Sequence, residues 1–130
     1  MIVLDASVVL DVVIAVPAGV KISERIAASG EQFAAPEVVD LEVLQALRRQ
    51  LRLGEIDIGR AHQALELLNS LPLARLSHQL LNSRIWQLRD NATAYDAAYL
   101  ALAELLDAGL WTRDTKYLGI PGHRVEIEVL

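Results

Sequence analysis

The stretch Thr93–Leu106, TAYDAAYLALAELL, limits the fold more than any other part of the chain. From Ala97 to Ala103 it carries no charge and no polar group except the Tyr99 hydroxyl. A surface helix presents a polar face every turn, so a helix that is apolar all round belongs in the interior. Ala and Leu are strong helix formers. Thr93 followed by Asp96 fits a helix-start box, and Asp107 with Gly109 supplies the stop. The sequence therefore predicts a central buried helix with a carboxylate, Asp96, in its first turn. Such an acid can simply complement the helix dipole. A functional role requires further acids at the mouths of other elements.

The chain has 130 residues, which fits one domain spanning 1–130 with a real core. It is 53% apolar with few aromatics, so Leu, Val, Ile and Ala must build the interior, with some apolar surface left for self-association. The absence of Cys excludes disulfides, thiolate metal sites and cysteine nucleophiles, and suits a reducing, cytoplasmic setting. His62, His78 and His123 stand far apart, which argues against zinc. The net charge of -5 is unlike a protein that grips long duplexes through their phosphates. Carboxylates that hold divalent cations would remove that objection, because the cations invert the local field. No basic n-region opens the chain and no apolar run is long enough to span a bilayer, so neither a secretory signal nor membrane insertion is expected.

Ile2–Leu4 is a short β-branched run suited to a strand buried on both faces of a parallel sheet. It ends at Asp5, and Ser7 is the expected cap of a helix over Val8–Ala15. Pro17 to Gly19 breaks that helix, and a second runs from Val20 to Ser29. Gln32–Ala34 is a strand candidate. Pro36 is expected to open a helix with Leu41, Leu44, Leu47 and Leu51 on its core face, ending in the basic tail Arg48–Arg52. Asp57 caps a helix to Ser70, Leu73–Leu76 reads as an extended connector, and Ser77 caps a helix to about Arg89, with Trp86 packing beside its inner stripe. Leu110–Thr112 reads as a strand that ends in Arg113-Asp114. Lys116–Leu118 suits one helical turn, and the alternating segment Arg124–Leu130 suits a half-exposed edge strand.

Four acids thus stand at element boundaries: Asp5, Glu42, Asp96 and Asp114. Asp40 and Glu42 point ~200° apart on their helix, so only one can face a shared site. Glu42 sits at the edge of the leucine stripe and is the candidate, although a solvent-facing glutamate would show the same pattern. Strand-end acids in a parallel sheet share one edge, where ligands bind in such folds. Carboxylates gathered there need shifted pKa values or a cation. An oxygen-only donor set selects Mg²⁺ or Mn²⁺, and such a centre suits phosphodiester hydrolysis.

The segments VLDAS (Val3–Ser7), PEVVDLEVLQALRR (Pro36–Arg49), RDNATAYDAAYLALAE (Arg89–Glu104) and WTRDTKYL (Trp111–Leu118), in this order, resemble the PIN-domain ribonucleases. They look most like the VapC-type toxins of bacterial type II toxin–antitoxin systems. The resemblance implies a three-layer α/β/α sandwich around a central, mostly parallel sheet. It also implies a Mg²⁺- or Mn²⁺-dependent endoribonuclease, an RNA substrate, a homodimer, and a cognate antitoxin with which the dimer forms a heterotetramer or larger assembly. Motif by motif, the catalytic and metal-ligating quartet falls on Asp5, Glu42, Asp96 and Asp114. Ser7 and Thr112 match positions that support the site.

Within that picture Asp5 and Asp96 are the first choices for direct ligands, with Asp114 bound directly or through water. Glu42 would complete the site or position the attacking water. Replacing Asp5 by Asn is expected to remove activity and leave the thermal midpoint intact. Arg48, Arg49, Arg52, Arg84, Arg113 and Lys116 are the basic residues available to RNA phosphates. An antitoxin helix would find an apolar wall along Val8–Ile26. Two aspartate-based alternatives fit less well. A dehalogenase-type phosphatase wants an acid where Ser7 stands, and a receiver domain wants adjacent acids after the first strand. A dimeric, non-catalytic binding partner, whose acids only cap helices, is the alternative of a different class.

Overall fold

The structure, a computed structural model, describes all 130 residues. Five short strands form one sheet: β1 (Ile2–Leu4), β2 (Phe33–Pro36), β3 (Ala74–Leu76), β4 (Gly109–Thr112) and β5 (Ile127–Val129). Their order is β3-β2-β1-β4-β5, and every neighbouring pair is parallel. The sheet expected to be mostly parallel is entirely so. The chain starts at the centre, winds outward through β2 and β3, then returns to β4 on the other side of β1. The winding direction reverses between β1 and β4, and the crevice beyond the carboxyl ends of such a pair is where open α/β sheets receive ligands.

Helices α2 (Pro17–Ser29), α3 (Val38–Arg52) and α4 (Ile58–Ser70) pack around α1 (Ala6–Ile14). Helix α6 (Ala94–Leu106) packs on β1, β2 and β4, with α5 (Asn82–Gln87) against it. Every residue of Ala97–Ala103 is buried, as an all-round apolar helix requires. The Thr93 hydroxyl accepts from the Asp96 amide at 3.2 Å, and Asp107 ends the helix with a left-handed φ of 50°. One cluster of 29 buried residues joins this helix to both flanks of the sheet. No single helix is long and apolar enough to cross a membrane.

Several boundaries differ from expectation. Asp5, not Ser7, caps α1, because the Ser7 amide donates back to the Asp5 carboxylate at 3.4 Å and the helix begins at Ala6. Helix α2 starts at Pro17 rather than Val20. Gly19 is a point of close approach and not a breaker, since a Cβ there would lie 1.8 Å from the Asp11 carbonyl oxygen. Pro36 closes β2 instead of opening α3, and the Glu37 amide carries the next bond to the Leu76 carbonyl at 2.9 Å. The connector at Leu73–Leu76 is edge strand β3. The segment after Ser77 is a 3₁₀ turn, His78–Leu81, followed by the short α5.

The inner face of α3 is Val39, Val43 and Leu47, whereas Leu41 is 68% and Leu44 39% exposed. The valine and leucine series both recur at helical spacing, and only packing against α1 and α4 selects between them. Trp86 is 66% exposed, with the Arg89 guanidinium 4.8 Å from its ring centre. Within Val8–Ile26, the expected wall for a partner helix, Val8, Val9, Val13, Ile14 and Ile22 belong to the core, whereas Leu10, Val12, Val16 and Ile26 are half-buried and Val20 is exposed, so about half of its aliphatics are turned inward and the rest stay accessible.

Candidate active site

Asp5 follows β1 directly, and its amide donates to the Trp111 carbonyl of β4 at 3.0 Å. Its side chain is buried, and donors surround it. Oδ2 accepts from Ser7 Oγ at 2.5 Å and from Thr112 Oγ1 at 2.9 Å, while Oδ1 accepts from the Tyr117 hydroxyl at 3.1 Å. Ser7 Oγ and Thr112 Oγ1 in turn accept from the amides of Arg113 and Asp114, each at 3.0 Å. The two hydroxyls therefore lock together the loops that leave β1 and β4. They fix the Asp5 carboxylate and the backbone beside it.

Asp96 lies in the first turn of α6, its side chain 14% exposed. Oδ1 lies 3.3 Å from the Tyr117 hydroxyl, whose single proton it shares with Asp5, and Oδ2 pairs with Lys116 Nζ at 3.2 Å. Asp114 follows β4 and caps the 3₁₀ turn Thr115–Gly119. Its Oδ1 accepts from the Lys116 amide at 2.9 Å, and its Oδ2 stands 3.2 Å from Lys116 Nζ. That amide, aided by the ammonium, holds the Asp114 carboxyl below the usual carboxylate range. Burial pulls the Lys116 ammonium down, but its bonds to Asp114 and Asp96 outweigh this and leave it above the ordinary lysine range.

Glu42 reaches the cluster from α3. Its Oε1 accepts from the Tyr99 hydroxyl of α6 at 2.8 Å. Burial raises the Glu42 pKa, the Tyr99 hydrogen bond opposes the rise, and the charges of Asp5 and Asp96 add to it. Both tyrosines are fully buried. Burial, then the neighbouring carboxylates, pushes each phenol well above its ordinary value, so both act as neutral donors. Beside Glu42 opens a cleft of about 710 Å³, lined by Val38, Leu41, Gln45, Arg49 and Tyr95 among others.

The four predicted acids thus meet at one sheet edge. Asp40 faces elsewhere, in an ion pair with Arg75 at 3.0 Å. Of the basic candidates, Arg84 is held by Glu104 at 2.7 Å and Arg113 by Asp11 at 2.9 Å. Arg48, Arg49 and Arg52 are exposed on α3. Tyr117, which joins Asp5 to Asp96, escaped the sequence reading, as did the pairing of Tyr99 with Glu42. The signal for Tyr99 was its position as the one polar group in an apolar helix, because a buried hydroxyl needs a partner.

No three Asp, Glu or His side chains enclose a common point at ligating distance. The acids are held by Lys116 and the two tyrosines, the arrangement expected of like charges kept apart. The donor set is nonetheless anionic and all-oxygen, the chemistry of a hard divalent cation. A cation of the chain's own, the Lys116 ammonium, already stands between Asp96 and Asp114. The residues therefore fit such a metal.

A family model described as "PIN domain" matches residues 2–122. Ribonuclease VapC12 of Mycobacterium tuberculosis is 35% identical over 130 residues, covering 100% of this chain and 99% of that protein. Ribonuclease VapC1 of the same species is 42% identical over 97 residues, covering 74% and 73%. Among solved structures, VapBC2 from Rickettsia felis bound to a promoter DNA fragment superposes with a TM-score of 0.72 at 15% identity, covering 99% of this chain and 98% of that one. A toxin–antitoxin complex from Klebsiella pneumoniae gives 0.70 at 19% identity, covering 99% and 97%. The fold is thus shared with structures of low sequence identity, and sequence similarity links the chain to the VapC proteins. The chain belongs to the PIN-domain family, in its VapC branch.

Proposed function

We propose that this protein is a divalent-metal-dependent endoribonuclease that acts as the toxin of a toxin–antitoxin pair. The observation that carries the reading is the convergence of Asp5, Glu42, Asp96 and Asp114, from four separate elements, on one sheet edge at a topological switch point. The VapC relatives named above are ribonucleases, and the structural neighbours are toxin–antitoxin assemblies. Both support the assignment.

Asp5 and Asp96 would hold Mg²⁺ or Mn²⁺, with Asp114 as a further ligand, direct or through water. When bound, the metal neutralises charge on the scissile phosphate and makes water a better nucleophile. The rest falls to the chain. Ser7, Thr112 and Tyr117 fix the Asp5 carboxylate in one orientation. Tyr117 sets the spacing between Asp5 and Asp96. Glu42, with its raised pKa, is suited to orient the attacking water and accept its proton, because a base works best when its pKa approaches the working pH. Tyr99 holds Glu42 in place. The homodimer and the cognate antitoxin belong to the same proposal.

Incubating purified protein with a total RNA pool tests it, in Mg²⁺ or Mn²⁺, in EDTA, and beside Asp96→Asn. Discrete fragments that need metal and vanish in the variant are the expected result. Metal binding without cleavage would point to phosphatase chemistry. Neither binding nor cleavage would leave a binding partner whose acids only cap helices.

A further inference from the structure

Lys116 sits where two of the four acids turn their second oxygens. Its Nζ lies 3.2 Å from Asp96 Oδ2 and 3.2 Å from Asp114 Oδ2, and 5.7 Å from the centre of the Tyr117 ring. The other cation nearby, Arg113, is taken by Asp11 and by the Leu130 carbonyl. The positive charge among the acids is therefore that of Lys116. Its backbone is pinned, because its amide donates to Asp114 Oδ1 at 2.9 Å. Its side chain is not: half of it is exposed, and a flexible four-carbon stem can swing the ammonium into solvent.

We propose that Lys116 is the built-in counter-cation of the acid cluster, and that its ammonium has to leave Asp96 and Asp114 before a divalent cation can take them. This rests on the metal-dependent reading above. Asp96 and Asp114 would otherwise face each other uncompensated near the buried carboxylate of Asp5. The ion pairs lower that cost in the metal-free protein. Two cations cannot neutralise the same oxygens at full strength, so whatever Lys116 contributes to the metal-free state is subtracted from metal affinity. The coupling is reciprocal by thermodynamic linkage. Lys116 thus sets the metal concentration at which the site fills, and a released ammonium beside the filled site is placed to meet a phosphate.

Calorimetric titration with Mn²⁺ tests this on the wild type, Lys116→Met and Lys116→Arg, together with metal-free thermal midpoints. Lys116→Met keeps the stem and removes the charge. It should bind Mn²⁺ about 5-fold more tightly, the scale of two partly exposed ion pairs, and its metal-free midpoint should fall. Lys116→Arg should keep both wild-type values. Lys116→Gln is measured alongside, so that misfolding of one neutral variant leaves the comparison standing. Unchanged or weaker Mn²⁺ affinity in the neutral variants, with the wild type binding normally, overturns the proposal. A folded wild type that binds no Mn²⁺ overturns the metal reading itself and this inference with it.

Discussion

The Tyr99 hydroxyl donates to Glu42 Oε1 at 2.8 Å, tying the central helix to α3 across the mouth of the sheet. Tyr99 is fully buried, and its phenol stays protonated because burial and the Glu42 charge both oppose ionisation. The bond therefore runs one way, from phenol to carboxylate. It opposes the pKa rise that burial imposes on Glu42.

Tyr99→Phe removes that donor and little volume. A hydrogen bond to a charged, partly buried acceptor contributes about 1–2 kcal/mol, and denaturant unfolding should show a loss of that size. The Glu42 pKa should rise further once its donor is gone, so the acid limb of the pH–rate profile for RNA cleavage should move to higher pH. A profile that stays in place would mean that Glu42 takes no proton in the reaction.

Glu42 also makes a stability prediction whose sign follows from its raised pKa. Above the ordinary glutamate value the folded protein holds this proton more tightly than the unfolded chain does. The stabilisation is complete below that value and is lost as pH rises through the raised one. At neutral pH the carboxylate of Glu42 is therefore a burden on the metal-free protein. Glu42→Gln keeps an acceptor for Tyr99 and removes the charge. Its metal-free thermal midpoint should exceed that of the wild type at pH 7.5, with the gap closing as pH falls below the ordinary glutamate value. A lower midpoint at pH 7.5 would contradict the stated origin of the shift.

Asp5 and Asp96 separate under the same substitution. Asp5 accepts three side-chain hydroxyl bonds and caps α1. An amide in its place presents two N–H groups where only acceptors are wanted, so at least one hydroxyl must turn away, at a cost of about 1–3 kcal/mol. Asp96 meets only Tyr117 and Lys116 on its carboxylate, and losing its charge also relieves repulsion. Both Asn variants should abolish RNA cleavage, but only Asp5→Asn should lower the thermal midpoint. This revises the expectation from sequence that Asp5→Asn would leave stability untouched. Equal midpoints for the two variants would show that the hydroxyls around Asp5 bear no structural load.

The sequence by itself determined the central helix, its Thr93 cap and the strands that end at Asp5 and Asp114. These follow from local rules: an apolar run too uniform for a surface, a capping side chain, and short β-branched segments closed by an acid. It also placed Asp5, Glu42, Asp96 and Asp114 at element boundaries, and those boundaries are where the fold gathers them. Only the tertiary structure decided the face of α3, because valine and leucine series at the same spacing satisfy the same periodicity. It alone showed that Gly19 is a contact with α1 and not an interruption. It alone brought Tyr117 between Asp5 and Asp96, and Lys116 between Asp96 and Asp114. Those contacts join residues up to 112 positions apart, and no local spacing rule reaches that far. Hydroxyl and ammonium donors find these carboxylates only after the sheet has set its strand order, so the partners of the acids are a property of the packed molecule.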